Sequence, residues 1–146
     1  MSIALQIIRE LQVLVGKVNS LNPQAERKGG YFCLVQQLTA EAVPTLVVRV
    51  GEVNELHEHD HFERCQLVTK RLNNEAPRFQ VSSCLPGMDG AVRADNDTVV
   101  GFSGYDAPWN ELIMLALCVN MHWLKLSRAL QLAWDDDHDK LKALLE

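Results

Sequence analysis

Apolar residues recur at Ile3, Ile7, Leu11, Leu14 and Val18, the spacing of a helix with one buried face. Gly16 weakens that helix late, and Asn22-Pro23 ends it. A polar, charged loop over residues 24–30 closes on two glycines, and the periodicity then changes. Residues 31–38 and 45–50 are β-rich runs joined by a short connector through Glu41 and Pro44, which predicts an antiparallel hairpin. Residues 60–74 return to helical intervals through Phe62, Cys65, Leu67-Val68 and Leu72. Lys70 and Arg71 complement the dipole of that helix in its last turn, and Asn73-Asn74 and Pro77 stop it. Short strands are predicted at 79–84, 91–94 and 99–103, with Asp95-Asn96-Asp97 as a turn.

The junction that follows is the most informative stretch of the chain. An apolar β-prone run ends in Gly101 and Gly104, turns through Tyr105 and Asp106, and opens a long helix at Pro108. Proline suits a helix's first turn because its φ is already set and its missing N–H would have no intrahelical partner. The Asp106 carboxylate is placed to cap the free N–H groups there. Leu112, Leu115, Val119, Leu126 and Leu130 mark one face of this helix, and Ile113, Met114 and Leu117 make its early turns apolar on several sides. A helix of that kind is central to a core or packed against another subunit. Asp135-Asp136-Asp137 breaks the pattern and caps a short final helix. The order α-β-β-α-β-β-β-α-α is that of an α+β protein, one domain over residues 1–146.

Composition narrows the function classes. A net charge of −5, with only Arg27-Lys28 and Lys70-Arg71 as compact basic pairs, argues against nucleic acid as a partner. The longest apolar run, 112–119, is far short of the ~20 residues that span a bilayer, so no membrane partner is expected. Cys33, Cys65, Cys84 and Cys118 show no metal-type spacing and read as reduced, partly buried thiols of a cytoplasmic protein. Arg9 and Glu10 interrupt the first apolar residues, so no signal peptide is expected.

His57-Glu-His-Asp-His61 is the constellation with obvious chemical potential. On a strand, His57, His59 and His61 would project from one face; on a helix, His57 and His61 would meet at i and i+4. Either arrangement offers imidazoles to Zn²⁺, Ni²⁺ or Fe, with Asp60 or Glu63 orienting a ring. The competing reading is a solvated polar loop. Ser103 lies in Gly101-Phe-Ser-Gly104, which is not the Gly-x-Ser-x-Gly elbow of a nucleophile, and any base would have to come from His122 or the 57–61 cluster. His122, between Met121 and Trp123, reads as a core or interface histidine or as an axial ligand in an apolar pocket. Arg93 and Asp95 border the glycine turn, where they form a surface ion pair or meet an anionic ligand.

Several segments carry a family resemblance. Phe79-x-x-Ser82-Ser83, Gly90-Ala-Val-Arg93, Val99-Val-Gly-Phe-Ser-Gly104 and the helix bearing Glu111 resemble the haem-binding GlcG/HbpS family, which includes the C-terminal domain of PduO-type proteins. Asp60-His-Phe-Glu-Arg64 with Val68 is similar to the opening of that family's second helix. The resemblance implies a profilin-like fold, a central antiparallel sheet flanked by N-terminal and C-terminal helices. It also implies a small-ligand module, with haem or a corrinoid as ligand, assembled as a homo-oligomer. His122, Arg93, Gly101 and Gly104 would then contact the cofactor, and His57, His59 and His61 would be the metal candidates. Two other functions stay open: a structural or interaction protein without a ligand, and a metal-dependent enzyme centred on His57–His61.

Overall fold

The computed structural model describes residues 2–35, 45–75 and 79–146. Among these residues, four strands form one antiparallel sheet in the order β2-β1-β4-β3, and helices cover both of its faces, the profilin-like α+β arrangement. Helix α1 (Ile3–Leu21) turns Ile7, Leu11, Leu14, Val15 and Val18 inward, and the Ser2 hydroxyl caps it by accepting from the Leu5 N–H. Strands β1 (Lys28–Val35) and β2 (Leu46–Glu52) pair as the expected hairpin, from Lys28 opposite Glu52 to Leu34 opposite Leu46. The part of the predicted first strand beyond Val35 lies outside the described residues. Helix α2 (Glu58–Asn73) crosses one sheet face, and β3 (Ala91–Arg93) and β4 (Val99–Ser103) complete the sheet.

The pleat divides the core into two sides. Phe32, Leu34, Val92, Val100 and Phe102 face the layer that contains α1 and α3 (Trp109–Asn120). Cys33, Val35, Ala91 and Val99 face α2, against its Cys65, Val68 and Leu72. Because both faces are covered, β4 is buried at every position, and its first four residues read as a continuous rather than alternating apolar run before Ser103.

Gly101 has a packing role. A Cβ there would lie 2.0 Å from Thr69 Oγ1, so its absence lets α2 settle directly onto β4. Gly104 performs the same service for β1, since a Cβ there would meet the Gly29 carbonyl at 2.2 Å, and a Cβ on Gly29 would meet the Val50 carbonyl of β2 at 2.3 Å. Gly51, opposite Gly29, has φ +75 and bends the end of β2.

Two expectations are corrected. Residues 79–84 do not form a strand: only Val81 bridges to Val92, and Ser82–Cys84 is a 3-10 turn. The long last helix is broken. After α3 the chain turns left-handed at His122, restarts as α4 (Leu126–Leu132), passes a second 3-10 turn at Asp135–Asp137 and ends in α5 (His138–Leu145). Trp109, Trp123 and Trp134 therefore belong to different segments. The all-round apolar character of α3 is accounted for within one chain, because residues 110–118 are buried between the sheet, α1 and α5.

Candidate functional site

The histidine cluster falls on a helix start. His57 is the N-cap residue of α2 and His61 stands one turn later, so their rings lie 6.4 Å apart, centroid to centroid. His59 points elsewhere, exposed and paired with Glu63 at 3.3 Å. The structure thus brings together two of the three histidines. Among the described residues, no group of three or more His, Cys, Asp or Glu side chains is arranged to hold a metal ion. The spacing His57-Glu58-x-x-His61 also matches that of metalloprotease helices, where the glutamate serves as base. Here the Glu58 carboxylate is engaged otherwise, accepting from Tyr31 Oη at 2.6 Å and Arg49 Nη1 at 3.1 Å. These two donors hold the Glu58 carboxyl below its usual range, Tyr31 first.

His61 is the best-placed of the three. It is half-buried, and its Nδ1 lies 3.0 Å from Ser103 Oγ at the end of β4, a hydrogen bond whose direction follows the ring's tautomer. Burial lowers its pKa first, and the nearby charges of Arg27 and His57 lower it further, which favours the neutral ring. A nucleophile–base pair also needs a third group to orient the base. Among the described residues, no side chain hydrogen-bonds the other nitrogen of His61.

Two clefts meet at this imidazole. The narrower, about 160 Å³, is lined by Glu26, Arg27, Lys28, Gly29, Glu52, Val53, Asn54, His57, His61 and Gly104. The other, about 360 Å³, is lined by Arg27, Asp60, His61, Arg64, Asp89, Ser103, Tyr105, Asp106, Ala107 and Asn110. Arg27 and His61 belong to both. Arg27 is anchored by Asp106 at 3.2 Å, so Asp106 serves this ion pair and not the helix cap predicted for it. Asn110 fixes the turn above them, with its amide accepting from the Tyr105 N–H at 2.9 Å and donating to the Tyr105 carbonyl at 2.8 Å. Gly104 is the one expected cofactor residue that lines either cleft.

Arg93 and His122 have other duties. Arg93 is 2% exposed, so it forms no surface ion pair. Its Nη2 donates to the Leu72 carbonyl at 2.7 Å and the Glu75 carbonyl at 3.4 Å, and its Nε to the Phe79 carbonyl at 3.3 Å. The cation thus sits against the carbonyl end of α2, where the helix dipole is negative. Burial pulls its pKa down from the usual guanidinium range.

His122 is exposed, not a core histidine. It occupies the left-handed position after α3 at φ 60, where its N–H reaches the Val119 carbonyl and the Trp123 N–H reaches the Cys118 carbonyl. This is a Schellman ending with histidine in the place glycine usually takes. The hollow beside it, about 860 Å³, is an open surface depression lined by Val119, Trp123, Leu124 and Leu126 together with Asp95, Asn96, Asn120 and Lys125. A haem needs an apolar enclosure around its axial side chain. The His122 hollow has apolar walls but is open rather than enclosed, and the clefts at His61 are lined mainly by charged and polar side chains.

Glu111, which the sequence marks only as part of the resembling helix, is an unusual group in the structure. Glu111 is 4% exposed, accepting from the Ser83 N–H at 3.1 Å and the Ser83 hydroxyl at 3.0 Å. Trp134 Nε1 donates to the same hydroxyl at 3.3 Å. Burial outweighs these bonds and raises the Glu111 pKa to about 7, with Asp89 and Asp137 adding like charge. Its position in the first turn of an apolar helix was the available signal. The chain matches no family model, no curated protein and no solved structure.

Proposed function

We propose that this chain is a small-ligand-binding module whose site is the pair of clefts meeting at His61 and Arg27. The observation that supports this reading is the shared wall. A neutral imidazole hydrogen-bonded to Ser103 stands beside an anchored guanidinium, with Lys28 and Arg64 on one side of the charge balance and Glu26, Glu52, Asp60 and Asp89 on the other. Such a lining suits a small polar molecule carrying both charge signs, held by fixed donors and acceptors that specify its orientation. It does not suit a large apolar ring system. Haem and corrinoids are therefore set aside in favour of a zwitterionic or hydroxylated ligand.

The test is a thermal-shift panel of free amino acids, dicarboxylates, inorganic phosphate, divalent metal ions and haemin. Saturable stabilisation by a zwitterionic member is expected, reaching about 2.7 kcal/mol at 100 times its Kd. Arg27→Ala and His61→Ala should abolish it, and His122→Ala should leave it intact. A haemin Soret band that disappears in His122→Ala would overturn the proposal. So would stoichiometric metal lost on joint replacement of His57 and His61.

A further inference from the structure

Two cysteines far apart in sequence meet on the α2 side of the sheet. Cys33 projects from β1 and Cys65 from α2, both fully buried, and they belong to one cluster with Val35. The close approach has a cause in the fold. Cys33 pairs in register with Gly101, whose missing Cβ lets α2 descend until Thr69 and the Cys65 carbonyl lie over the sheet. The two side chains are neighbours in that buried cluster, and Cys65 Sγ donates to the Phe62 carbonyl at 3.2 Å. The Cys65 thiol beside it draws the Cys33 pKa below the usual thiol range, and the same contact pushes Cys65 up.

We infer that Cys33 and Cys65 form a peroxide-responsive cystine that ties β1 to α2. The Cys33 thiolate attacks one oxygen of hydrogen peroxide, giving the sulfenic acid and releasing hydroxide. The Cys65 sulfur then attacks the Cys33 sulfur, forming the S–S bond, and water leaves with the Cys65 proton. Two thiols and one peroxide become one disulfide and two waters. Peroxide is small enough to enter through local opening of the helix–sheet contact, whereas a bulky disulfide oxidant is not. Cys65 follows His61 by one helical turn, so the bond would fix the helix end that carries His57 and His61.

The experiment exposes the folded chain, in a Cys84→Ser background, to hydrogen peroxide, then alkylates free thiols and maps tryptic peptides without reduction. The expected product joins the peptide 29–49 to the peptide 65–70, with a matching loss of two titratable thiols and full recovery on reduction. Cys33→Ser should leave Cys65 alkylatable. The inference is overturned if both cysteines remain alkylatable under peroxide that fully oxidises Cys84 in the parent chain. A cross-link that instead joins Cys118 to either one would overturn it too.

Discussion

Replacing Glu111 with glutamine should uncouple the stability of this protein from pH over a defined window. A glutamate that titrates at about 7 when folded and at its ordinary 4.5 when unfolded binds more protons in the native state between those values. Native stability therefore falls as pH rises from about 4.5 to about 7, and the loss is complete above the folded pKa. At about 1.4 kcal/mol per pH unit, ionising Glu111 costs about 3 kcal/mol. Glutamine resembles the protonated carboxyl: its oxygen can accept from the Ser83 N–H, and its amide can donate to the Ser83 hydroxyl. Urea unfolding of both proteins from about pH 5 to about pH 9 gives the comparison. The difference in stability should move by about 3 kcal/mol in favour of the variant and level off above the folded pKa. His61 works in the opposite sense in both proteins, destabilising as pH falls below 6.5, and cancels in the difference. Parallel stability curves would refute the argument that burial dominates the Glu111 carboxyl.

Four further outcomes are expected. Gly101→Ala should destabilise by about 1–3 kcal/mol because its methyl meets Thr69 Oγ1, and adding Thr69→Ala should restore part of the loss in thermal melts. His122→Gly should raise stability by about 1 kcal/mol by relieving the left-handed backbone; no gain in urea midpoint would contradict the Schellman assignment. Arg93→Met should cost about 2–4 kcal/mol by stripping the donor from the Leu72 and Phe79 carbonyls, and Arg93→Lys should not recover it, as judged by circular dichroism melts. In an NMR titration, the His61 ring should change charge below the ordinary imidazole value of 6.5; a midpoint at or above it would count against the buried neutral ring.

Much of the fold was legible because periodicity reports burial. The 3.6-residue spacing in α1 and α2 and the aromatic and β-branched residues of β1, β2 and β4 each reflect a face turned inward. Where the reading failed, the deciding partner was remote in sequence. Residues 79–84 have strand-like composition, yet the Ser82 hydroxyl accepts from the Ala91 N–H and Ser83 is held by Glu111, which bends the segment into a 3-10 turn. The break after α3 carries no glycine or proline, so Met121-His122-Trp123 reads as uninterrupted helix. At the site, i and i+4 spacing correctly joined His57 to His61. It could not show that Ser103, 42 positions away, would complete the contact, nor that Arg93 would be spent on α2's carbonyls.

The position of β2 at the rim of the sheet carries one more consequence. Among the described residues, β2 is a rim strand whose run Leu46-Val47-Val48 has a neighbour on one side only, beside apolar side chains, the combination through which sheets recruit strands from other molecules. Arg49 interrupts that run with an exposed charge, and Gly51 twists the strand's end out of plane in its left-handed conformation. Both features oppose strand addition, so a short segment that contributes little to the interior shapes how this sheet edge meets other chains.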